Sequence, residues 1–146
     1  MLTRLHSKYS GLAQMILALP PVKVRLVVAT AAKLALQNAE LESDLLQEVL
    51  AAVDGRASLQ PDVKDRLIAL QWQMDDSYLD AQDSPEGQRG LPTEALRSFC
   101  RARALAAVLG ALGEVDVTGA TEVVYEAIVS SSNEDEVAEA IQRSAG

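Results

Sequence analysis

The sequence predicts an all-α fold: a single-domain irregular or orthogonal bundle of about six or seven helices. Three observations lead there. Apolar residues recur at steps of three and four along most of the chain, the spacing that puts them on one face of a helix. The composition is rich in Leu, Val and Ala, with about one residue in six Ala and only one Trp, one Phe and three Tyr. Such a mix suits close-packed helices, whereas a β-sandwich draws on more Thr, Tyr and Phe. Pro20-Pro21, Gly55, Pro61 and Gly113 fall between the periodic runs and separate them. At 146 residues the chain is long enough to bury one core.

The first helix is expected over Leu2 to Leu19. Leu2, Leu5, Tyr9, Leu12, Ile16 and Leu19 form its stripe, and Pro20-Pro21 ends it. The second runs from Pro21 to about Asn38. Val22 to Val28 alternates like a strand, but the apolar pattern continues through Leu36 without a turn, so length decides for helix. Its apolar residues cover most of its circumference, which places it near the centre of the core. The third spans about Glu42 to Val53 and stops at Gly55. The fourth starts at Pro61 and carries Val63, Leu67, Leu70, Met74 and Tyr78, with Trp72 off that line, where it would cover a second neighbour.

Residues 83–92 hold two Pro and two Gly and read as an exposed loop between the fourth and fifth helices. The fifth helix runs from Thr93 to Leu112, with Gly113 after it. Val115 to Thr118 alternates briefly, but Asp116 or Thr118 fits better as the cap of a sixth helix containing Val123, Val124, Ala127 and Ile128. Asn133 and Glu136 have the spacing of a capping box for the last helix.

Charge is distributed unevenly. The first 39 residues carry Arg4, Lys8, Lys23, Arg25 and Lys33 and no acid, while the rest of the chain carries all 21 acids against eight bases. The net charge of −8 argues against nucleic acid as a partner, because phosphates would be repelled. The asymmetry fits either an acidic binding face or two oppositely charged parts of one fold attracting each other. No apolar run is long enough for a membrane span. The acid-free start has the composition of a mitochondrial transit peptide, but its regular stripe argues for a core helix, and the single cysteine fits a reducing, cytoplasmic compartment. Cys100 is the only cysteine, which excludes an intrachain disulfide, and it sits in an apolar helical stretch as a small buried residue.

Catalytic patterns are sparse. His6 is the only histidine and lies on the polar flank of the first helix. The sequence contains no Gly-rich phosphate loop, serine elbow or metalloprotease helix. One constellation stands out: Asp75-Asp76-Ser77-Tyr78-Leu79-Asp80, followed by Asp83. Asp76, Asp80 and Asp83 share a helical face, and oxygen ligands in that arrangement suit Mg²⁺ or Ca²⁺. The string resembles the aspartate-rich metal motif of all-helical terpenoid synthases. It departs from that motif by one extra residue before the last Asp, and the chain lacks both the second metal motif and the length of those enzymes.

These aspartates stand toward the C-terminal end of a helix, where the macrodipole disfavours them by up to ~1 kcal/mol each. Arg97, Arg101 and Arg103 on the next helix would neutralise them as an internal network. Alternatively, the acids form a docking face for a basic protein partner, with Tyr78 or Trp72 as aromatic anchor. The expectation is therefore a non-catalytic interaction protein without cofactor or metal. Its sharpest form is a small inhibitor or immunity-type protein that binds a basic toxin or effector through Asp75, Asp76, Asp80 and Asp83. The alternatives are a homo-oligomeric scaffold built on the first helix and a divalent-metal-binding enzyme built on Asp75 to Asp83.

Overall fold

The computed structural model describes residues 3–55, 58–83 and 93–145, without the side chains of residues 82, 83 and 93. Among the described residues there are eight helices and no strand: α1 (Arg4–Lys8), α2 (Ser10–Leu17), α3 (Pro21–Ala39), α4 (Ser43–Val53), α5 (Pro61–Asp83), α6 (Thr93–Ala111), α7 (Val117–Val129) and α8 (Glu134–Ala145). The all-α bundle read from the sequence is the fold observed. Residues 84–92 of the expected loop lie outside the described residues.

The count exceeds the expected six or seven because the first helix is broken at Tyr9. Tyr9 has φ −140° and ψ 74°, outside helical values, while its N–H still donates to Leu5 O and its carbonyl accepts from Ala13 N. The interruption is one residue long, so the stripe survives it: Leu5, Leu12 and Ile16 are all buried. These two helices pack on α7, and α2 also meets α8. The stripe that a scaffold would present to another subunit therefore faces the chain's own core.

Pro20 and Pro21 set up α3, with Pro21 at its first position and Pro20 O accepting from Lys23 N and Val24 N. The strand-like run Val22 to Val28 is helix. From it Val24, Val27 and Val28 turn inward, followed by Ala31, Ala35 and Leu36, and α3 packs on α4, α6, α7 and α8. It is central, yet not enclosed all round: Val22 is 69% and Leu26 50% exposed. The run Val115 to Thr118 is a helix start, where Asp116 Oδ1 accepts from Gly119 N at 2.7 Å. At the start of α8, Asn133 Nδ2 donates to the Glu136 carboxylate at 2.7 Å, a side-chain pairing of the two residues expected to cap it.

Charge pairing joins the acid-free N-terminal part to the acidic remainder. Arg4 bonds Glu122 and Glu126 of α7 and lies over the Tyr125 ring, 4.4 Å from its centroid. Lys8 bonds Glu134, and Lys33 pairs with Asp54. Glu126 is the deepest of these groups, with its side chain 9% exposed. Arg103 of α6 approaches it from the other side, at 3.3 Å, and reaches Asp75 of α5 at 3.2 Å. One carboxylate thus stands between two guanidinium groups from different helices.

Two outcomes follow. Glu126→Gln keeps the shape of the side chain but removes the charge that both arginines share. It should lower unfolding free energy in urea by about 1–3 kcal/mol, with Asp75 and Glu122 still holding the two arginines. The Tyr9 phenol donates to Asp135 at 2.6 Å, and this bond, with lesser help from desolvation and the charges of Asp135 and Glu134, pushes its pKa up from 10.0 to about 12. A raised folded-state pKa means the bond's contribution is complete below pH 10 and fades as pH rises toward 12. The stability difference between wild type and Tyr9→Phe should therefore be flat below pH 10 and shrink above it.

Candidate functional site

The candidate site is the outer face of α5. This helix packs chiefly on α6, through Val63, Leu67 and Met74, all buried. The same 3.6-residue period that turns those residues inward turns Asp65, Trp72, Asp76 and Leu79 outward. Trp72 is 67% exposed and Leu79 50%. Trp72 therefore does not cover a second helix, as its position off the core stripe first suggested. It stands on the surface with Asp76 and Asp80, both exposed, one and two turns further on.

The aspartates divide into two groups. Asp75 turns toward α6 and pairs with Arg103, the one contact of the expected internal network found among the described residues. Asp76 and Asp80 point away. Among the described residues neither takes an ion pair or hydrogen bond. The Asp83 side chain lies outside the described residues. The cause of the division is angular: adjacent helical residues are about 100° apart, so Asp75 and Asp76 cannot both face the same neighbour.

The aromatic candidates divide in the same way. Tyr78 is half-buried against Phe99 of α6, with ring centroids 5.0 Å apart and planes tilted 44°. That contact joins α5 to α6 and leaves Trp72 as the aromatic side chain on the outer face of α5. The two other arginines of α6 turn elsewhere. Arg97 bonds the Glu40 carboxylate at 2.8 Å, and Arg101 Nε donates to Ala39 O at 3.0 Å. Both hold the C-terminal end of α3, where Glu40 has the left-handed φ of 53°. A non-glycine residue there is strained, and the arginines offset this by supplying an ion pair and a donor to a terminal carbonyl.

Beside the face, a pocket of about 330 Å³ opens between α4, α5 and α6. Leu41, Leu45 and Leu70 line it, with Glu42 and Arg66 at the rim, and Ala69 and Gln73 connect it to the turn bearing Trp72. No sequence signal pointed to this pocket, since its walls come from segments some thirty residues apart. Elsewhere, His6 Nδ1 accepts from Thr3 N at 2.9 Å and so caps α1, a role the Thr-x-x-His spacing could have suggested. Cys100 is half-buried, and burial pushes its thiol pKa up, which keeps it protonated and a weak nucleophile near neutrality. Among the described residues, no three His, Cys, Asp or Glu side chains are grouped as a metal ion would need.

Comparison with protein-family models, curated proteins and solved structures finds no match to this chain.

If Asp76 and Asp80 serve no internal contact, reversing Asp80 should help the fold. Asp80 lies in the last turn of α5, which carries no basic residue. Asp80→Lys should raise unfolding free energy by about 0.3–1 kcal/mol through the helix dipole. Asp75→Asn, which strips Arg103 of a partner, should lower it by about 1 kcal/mol. Urea melts of the two variants would show whether the sign differs as expected, and loss of stability in Asp80→Lys would make that residue structural.

Proposed function

We propose that this chain is a non-catalytic interaction protein whose outer α5 face docks a basic protein partner. In its sharpest form it is a small inhibitor or immunity-type protein that covers a basic toxin or effector. The observation that carries the reading is the surface position of Trp72 beside Asp76 and Asp80. An exposed Trp loses apolar hydration only on binding, and Trp ranks among the side chains that dominate interface energetics. Unpaired acids around it would steer a basic surface toward it and disfavour an acidic one. The helix gains nothing from these acids at its C-terminal end, so a cationic partner is the group that would relieve them.

Trp72 is the only tryptophan, so its fluorescence reports this face and nothing else. The probe is a synthetic amphipathic helix of Lys and Leu, compared with one of Glu and Leu. The Lys/Leu peptide should shift the emission to the blue in a saturable way that weakens as salt rises. The double reversal Asp76→Lys with Asp80→Lys should weaken this binding by at least about tenfold while the circular dichroism spectrum stays helical. Equal response to both peptides, or response to neither, would remove the proposed face.

A further inference from the structure

The N-terminal segment 4–19 occupies a bed whose chemistry is visible because the segment fills it. Its helices α1 and α2 pack chiefly on α7, and α2 also meets α8. Leu5, Leu12, Ala13 and Ile16 are the apolar residues that the segment buries. Polar contacts close the edges: Arg4 on Glu122 and Glu126, Lys8 on Glu134, and the Tyr9 phenol on Asp135. The segment itself carries no acid, and its polar partners on α7 and α8 are all acids. The bed therefore takes a basic amphipathic helix.

The junction between this segment and α3 has the form of a hinge. Helix α2 ends at Leu17 and α3 begins at Pro21. Ala18 N donates to Met15 O and Leu19 N to Ile16 O, while Pro20 O accepts from Lys23 N and Val24 N. Each of these bonds stays on its own side of the Leu19–Pro20 peptide. Pro20 and Pro21 bring no N–H to the junction, and Pro20 has an extended ψ of 157°. Rotation about this point moves the segment as a unit and breaks none of these four bonds.

A segment that swings away exposes its buried stripe and takes Arg4 from Glu126. Both losses are made good by the same bed on a second copy, because every contact seen within one chain is available between two. We infer that two copies exchange segment 4–19, each laying its α1 and α2 on α7 and α8 of the other. The contact is reciprocal, so the pair is two-fold and closes at two chains. Its ion pairs are those of the monomer, and the charge of −8 on each chain adds only a longer-range repulsion that salt screens. The exchange does not involve the outer face of α5.

The test places one cysteine in each chain, so that every cross-link joins two chains. Lys8→Cys and Glu134→Cys, each combined with Cys100→Ala, are mixed at high concentration with one of them isotopically labelled. The mixture is passed through mild urea and back, then treated with a short bismaleimide. In an exchanged pair, position 8 of one chain lies against position 134 of the other, as Lys8 Nζ and the Glu134 carboxylate do at 3.0 Å. Mixed cross-linked dimers, read by mass, should exceed those from Lys8→Cys with Asp44→Cys on α4 by at least about tenfold, because exchange holds the two thiols at high effective concentration. Wild type given the same urea step should show monomer and dimer in sedimentation velocity. Its dimer fraction should rise with the concentration at that step and not fall as salt is added, since both forms make the same ion pairs. A wild type that stays monomeric, cross-linking no better than the Asp44→Cys control, or a dimer that dissolves in salt would each overturn the exchange.

Discussion

The fold depends on how one carboxylate is neutralised. Glu126 is drawn below the surface on α7, and a carboxylate there is tolerated only if it is paired and hydrogen-bonded. Arg4 supplies one side and Arg103 the other. Each arginine then holds a second acid, Glu122 for Arg4 and Asp75 for Arg103, so the pairing links α1, α7, α6 and α5 in one chain of charges. Among the described residues Arg103 Nε is buried without a partner, a cost of about 1–3 kcal/mol that the two ion pairs of its terminal nitrogens offset. Apolar burial drives the collapse and sets the inward faces, and this chain of charges ties α1, α5 and α6 to α7 in that arrangement.

The arrangement accounts for the uneven charge of the sequence. An N-terminal segment with bases and no acids is matched to helices that carry acids where it docks: Arg4 to Glu122 and Glu126, Lys8 to Glu134, Lys33 to Asp54. Exposed pairs such as Lys8 with Glu134 contribute little energy each. Their value is in discrimination, since a wrongly packed first segment would leave the buried Glu126 with Arg103 as its one countercharge among the described residues. Among the charges that these pairs leave over, Asp76 and Asp80 fall beside Trp72 on the outer face of α5.

Much of this was legible in the sequence because it depends on local period. Steps of three and four located the helices, Pro21 and Gly113 marked their limits, and the separation of Trp72 from the line Val63, Leu67, Leu70, Met74, Tyr78 marked it as different. The break at Tyr9 was not legible. The period continues across it, and its hydrogen bond to Asp135 joins residues at opposite ends of the chain. The same holds for the candidate site. Four aspartates in nine residues were visible as a cluster, but which of them meets Arg103 depends on the rotation of α5 against α6, set by Tyr78 on Phe99 and by the buried line. Arg97 and Arg101 were misassigned to those aspartates because the left-handed end of α3 at Glu40, which they hold, arises only when α3 and α6 meet.

The outer α5 face is where local rules and the fold disagree. Acids stand at the wrong end of a helix, and the largest side chain in the protein is in water. A helix that needed only to pack on α6 would place a small or basic residue at each of these positions, and would be more stable for it. Departures of this kind on the outer face, opposite the buried line Val63, Leu67 and Met74, are what the proposed docking role would account for. Asp75 provides the internal control: one residue away, on the same helix and with the same chemistry, it has its countercharge. What separates it from Asp76 is direction alone, so the difference between a structural acid and a surface one is decided by about 100° of helical rotation.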